Sequence, residues 1–108
     1  MAVDITLNVF NASDTKHIGR INLYFGKAIR STFDGWRWVE RQGMTVDMPN
    51  VLGHTNARIG YIVPKAKLQE WIEAGFLSRS PWCSDCPAVF LNNYPCDAIF
   101  RLWFLDWS

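Results

Sequence analysis

The sequence predicts an α+β fold: an antiparallel or mixed sheet of about five to seven strands, with one principal helix at about 65–74 packed on it. Three observations carry this. Val3, Ile5, Leu7 and Val9 alternate with Asp4, Thr6 and Asn8, the period-2 pattern of a strand with one buried and one wet face. Leu68, Trp71 and Ile72 stand at i, i+3 and i+4, an apolar helical stripe opposed by Lys67, Glu70 and Glu73. From Ile99 to Trp107 both parities are apolar apart from Arg101 and Asp106, which suits a central strand covered on two sides.

The remaining elements follow from turn chemistry. Residues 11–14, Asn-Ala-Ser-Asp, end the first strand. Ile21, Leu23 and Phe25 alternate with Asn22 and Tyr24 in a second strand, which Gly26 interrupts. Asp34-Gly35 between residues 27–33 and 36–41 predicts a hairpin, because a type I′ turn needs positive φ at both central residues. Gln42-Gly43 reads as a second tight turn, leading into a strand at 44–48. Residues 58–63, rich in Ile, Tyr and Val, read as another strand. Pro64 then sits where its missing N–H costs the helix nothing, and Gly75 is placed to end that helix, with Phe76 returning onto Trp71. Residues 78–87 read as loop, 88–91 as a short strand and 92–95 as a turn.

The 108 residues read as one compact domain, 1–108, without linker, repeat or low-complexity stretch. Hydrophobic residues make up 49% and charged residues 19%, a balance that excludes disorder driven by charge. Six Trp, seven Phe and three Tyr supply large side chains for a small core, with a surplus that suits an apolar pocket or an interface. A net charge of +1 argues against nucleic acid as a partner, since counterion release needs clustered surplus cations. Residues 1–10 show no basic region followed by an apolar run, and residues 98–107 are too short to span a bilayer. With an odd three cysteines, the expected compartment is the cytoplasm, with no membrane association.

Motifs for chemistry are sparse. Cys83-Ser84-Asp85-Cys86 has the spacing of a metal-gripping pair, and Cys96 with His54 or His17 could complete a zinc site. A structural site normally brings a second close ligand pair, which is missing, so unligated thiols are the stronger reading and no cofactor is expected. His17 and His54 fall in loops, with Asp14 and Asp47 near them in sequence, and nothing in the spacing forces a catalytic pairing. No nucleophile elbow, phosphate loop, zinc-protease or calcium motif occurs.

The function expected is therefore that of a small non-catalytic binding or interaction module, such as an accessory protein of a phage or mobile element. Its candidate binding residues are Arg30, Trp36, Arg37, Trp38 and Arg41, since Trp and Arg are enriched at binding hot spots. If Trp36 and Trp38 face inward instead, they are core residues. The final strand, through Ile99, Trp103, Leu105 and Trp107, is the candidate interface for a homodimer; another protein or a small apolar ligand are the other partners considered. A loop-borne enzyme near His54 and Cys83, or a zinc-stabilised domain, stand as alternatives.

Overall fold

The computed structural model describes residues 2–27, 37–48, 58–74 and 87–107. Within these, five strands form one sheet: β1 (Ala2–Phe10), β2 (His17–Lys27), β3 (Thr45–Met48), β4 (Arg58–Ile62) and β5 (Ile99–Trp107). Their order is β2-β1-β5-β4-β3, and every pairing is antiparallel. The last strand thus lies at the centre, between the β1–β2 pair and the β3–β4 pair. Three helical segments accompany the sheet: α1 at residues 37–41, α2 (Lys65–Glu73) and α3 (Pro87–Asn92).

The alternating apolar residues do what the period-2 pattern implies. Ile5, Leu7 and Val9 of β1 stand opposite Phe104, Leu102 and Phe100 of β5, and all six are buried on one face. Tyr61 of β4 and Ile21 and Leu23 of β2 extend that face, and Val39, Leu68, Trp71 and Leu91 from the three helical segments close over it. This inner face and its helices are the core.

The turn from β1 to β2 is built by one side chain. Asn11 accepts from the backbone N–H groups of Thr15 and Lys16 at 2.8 and 3.0 Å, and its amide donates to Thr15 Oγ1 at 2.9 Å. Such Asx bonding holds Asp14 in the left-handed region, at φ 55°.

Helix α2 begins from Pro64, whose extended backbone makes it the N-cap rather than the first helical residue, and whose carbonyl accepts from Lys67 and Leu68. Leu68 and Trp71 are buried and Ile72 packs partly against the core, so the predicted stripe faces the sheet. Lys65 Nζ donates to the Tyr94 carbonyl at 2.6 Å, tying the start of α2 to the α3–β5 connection. Gly75 and Phe76 fall outside the described residues.

Two expectations are corrected. The second arm of the predicted hairpin is helical at 37–41, so no strand is formed there; the proposed turn at Asp34-Gly35 lies outside the described residues. Gly43 does adopt positive φ, at 70°, but it follows a helical turn, with Gln42 and Gly43 donating to the carbonyls of Val39 and Glu40. A glycine in this conformation ends a helix as readily as it makes a hairpin. The short strand expected at 88–91 is helix α3. Pro87, taken from sequence as the end of a loop, is its first residue, where a fixed φ is already helical. Leu91 is fully buried and Phe90 packs on Tyr94 with ring centroids 5.1 Å apart. The fold is therefore an α+β arrangement of one antiparallel sheet and several short helices, of which α2 is the longest described.

Candidate functional site on the outer face of the sheet

The opposite face of the sheet is chemically different. It carries Asp4, Thr6, Asn8 and Phe10 from β1, Arg20 and Asn22 from β2, Ile62 from β4, and Ile99, Arg101, Trp103 and Leu105 from β5. The helical segments contribute their buried residues to the other face.

Arg101 organises this surface. Its Nη1 and Nη2 donate to the two carboxylate oxygens of Asp14 at 2.7 and 2.8 Å, while Nε donates to Asp47 Oδ1 at 3.0 Å. The guanidinium also lies over the Phe10 ring, 4.5 Å from its centroid. One side chain on the central strand thereby fixes the β1–β2 turn on one side and β3 on the other. Hydrogen bonding to Arg101 holds the Asp14 carboxyl below its ordinary value of 3.8, and the same bonds, led by that to Asp14, hold the guanidinium charge more firmly than in water. A two-pronged Arg–carboxylate pair is the geometry in which such a contact is strongest.

Trp103 is fixed from the same carboxylate. Its Nε1–H donates to Asp47 Oδ2 at 2.7 Å. Gly60 of β4 stands opposite Trp103, and Asp47 belongs to the strand beyond, so the indole reaches its acceptor by crossing over Gly60. A glycine inside a strand is expected where another group must approach the backbone closely. The register of β3 against β4 shifts between Val46 and Met48, and Asp47 is the residue in that irregularity, which bears its carboxylate toward both Arg101 and Trp103.

The small polar residues of β1 are not wet, as their alternation suggested. Thr6 is 1% exposed and Asn8 4%. They lie in the middle of the sheet, on a strand flanked by β2 and β5. Asn8 Nδ2 donates to Thr6 Oγ1 at 3.1 Å, and Asn8 Oδ1 lies 3.1 Å from His17 Nε2, so the amide is bonded at both ends. The His17 ring also packs on Phe10, with centroids 5.1 Å apart. Asp4 is less well served. Its Oδ2 is 3.9 Å from Arg20, and its buried Oδ1 has no hydrogen-bond partner among the described residues. Burial raises its carboxyl above the ordinary 3.8, against a smaller lowering by Arg20.

The candidates from sequence are distributed as follows. Arg30, Trp36, His54, Cys83 and Cys86 lie outside the described residues. Arg37 and Arg41 are exposed on α1. Trp38 is half-buried, packed against the core and edge-on to Trp71 with ring centroids 5.1 Å apart, so it is directed to the helix-covered side rather than to a solvent shelf. Cys96 is an exposed free thiol. Among the described residues no group of three or more His, Cys, Asp or Glu is placed to hold a metal ion. Asp14 and Asp47 serve Arg101 and Trp103, and His17 is bonded to Asn8 rather than to Asp14.

Of the final-strand candidates, Ile99, Trp103 and Leu105 are half-buried on the outer face, and Trp107 pairs with Ala2 at the end of β5. Sequence reading missed the parts played by Phe10, Asp14, Asp47, Gly60 and Arg101. Two signals pointed that way: a glycine between Ile59 and Tyr61 in a strand, and a lone Arg in an apolar one. No helix among the described residues is long and apolar enough to cross a membrane. No family model, curated protein or solved structure matches this chain.

Proposed function

We propose that this chain is a non-catalytic binding module whose recognition surface is the outer face of the sheet, and that the partner is a second copy of the chain. The observation that carries this reading is the arrangement of β5. Half-buried Ile99, Trp103 and Leu105 share a face with Arg101, and both Trp103 and Arg101 are held by Asp47. Trp and Arg are the residues that most often dominate interface energetics. Side chains already fixed lose little conformational entropy when a partner arrives, so more of the contact energy is left as affinity. Each polar group of the pair is also satisfied internally, which makes covering them less costly.

The geometry also restricts how β5 takes part. Its backbone is hydrogen-bonded to β1 on one side and β4 on the other, so only its face is available to a second molecule. The odd number of cysteines, three, fits a reducing compartment such as the cytoplasm.

Sedimentation equilibrium over a wide concentration range tests the proposal. The expected result is a reversible dimer for the wild-type chain and a monomer for Leu105→Glu, with unchanged far-ultraviolet circular dichroism. A wild-type chain that remains monomeric at the highest concentration would overturn self-association. A dimer that survives both Leu105→Glu and Ile99→Glu would place the interface elsewhere.

A further inference from the structure

We draw no further inference here: the strongest candidate, the half-buried stripe of Ile99, Trp103 and Leu105 beside Arg101 on the outer face of the sheet, belongs to the site already described, and nothing in the structure shows what else covers it.

Discussion

Tyr94 fills the space that a side chain at position 19 would need. A Cβ built on Gly19 would fall on the Tyr94 hydroxyl, and that hydroxyl lies 3.5 Å from the Ile18 carbonyl. The glycine is thus explained by packing and not by a positive φ. Gly19→Ala should cost about 1–3 kcal/mol in urea unfolding, the usual range for overfilling a packed site. The double variant Gly19→Ala with Tyr94→Ala should recover part of the Gly19→Ala cost on the Tyr94→Ala background; simple additivity would show that the ring is not the obstacle. Asp14 offers a second test. Its carboxyl titrates lower in the folded chain than in the unfolded one, because Arg101 donates to it. The unfolded chain therefore binds the proton more readily, and the contribution to stability is present above the ordinary value of 3.8 and lost as pH falls through the lowered folded value. Asp14→Asn should be less stable than the wild type at neutral pH and should lose less stability between pH 5 and pH 2, ranges that bracket the carboxylate titration. Parallel pH profiles for the two proteins would remove Asp14 from the account. Asp4 acts in the opposite sense, since burial makes its proton harder to remove in the folded chain.

At the scale of elements, β4 and β5 depend on each other through the crossing at Gly60. Gly60→Val should lift the Trp103 indole from Asp47, costing about 1–3 kcal/mol by overpacking. The indole N–H resonance of Trp103, identified by its loss in Trp103→Phe, should then lose the downfield position that a hydrogen bond to a carboxylate confers. An unmoved resonance would mean that the ring takes another path to Asp47. This contact also shows where sequence reading stops. Strands β1 and β2 and helix α2 were legible because each carries a period, of two or of 3.6, over enough residues to be distinctive. Strand β4 was legible from its Ile and Tyr content, β5 from its apolar run on both faces and β3 from the turn before it. Helix α3 was not: Ala88-Val89-Phe90-Leu91 is too short to show a period, and Pro87 marks a helix start as well as a loop end. Residues 37–41 read as a strand because Asp34-Gly35 before them and Gln42-Gly43 after them are both turn dipeptides, and a glycine such as Gly43 can equally end a helix. The site was less legible than the fold. Arg101 meets Asp14 and Asp47 only once three separate elements have been laid side by side, and no spacing along the chain encodes that meeting.

For the whole molecule, the sheet order sets the distribution of stability. Among the described residues β1, β5 and β4 each have a strand on either side, whereas β2 and β3 have one. Amide protons of β5 and of its partners in β1 should therefore exchange last, near the rate of global unfolding, and those of β3 earlier by local opening. Equal protection across all five strands would show that no part of the sheet opens on its own. The two outer strands also carry irregular registers: β2 against β1 at two places and β3 against β4 at one. Such bulges twist an edge and discourage strand-to-strand addition. The central position of β5 has a consequence for synthesis as well. During translation the β1–β2 pair and the β3–β4 pair emerge first, each with the backbone edge that β5 will pair with still vacant. Among the described residues neither pair has three strands, the number at which a small sheet begins to stand alone. The two halves must wait for the final segment, and the domain is most vulnerable to misassociation in the interval before residues 99–107 leave the ribosome.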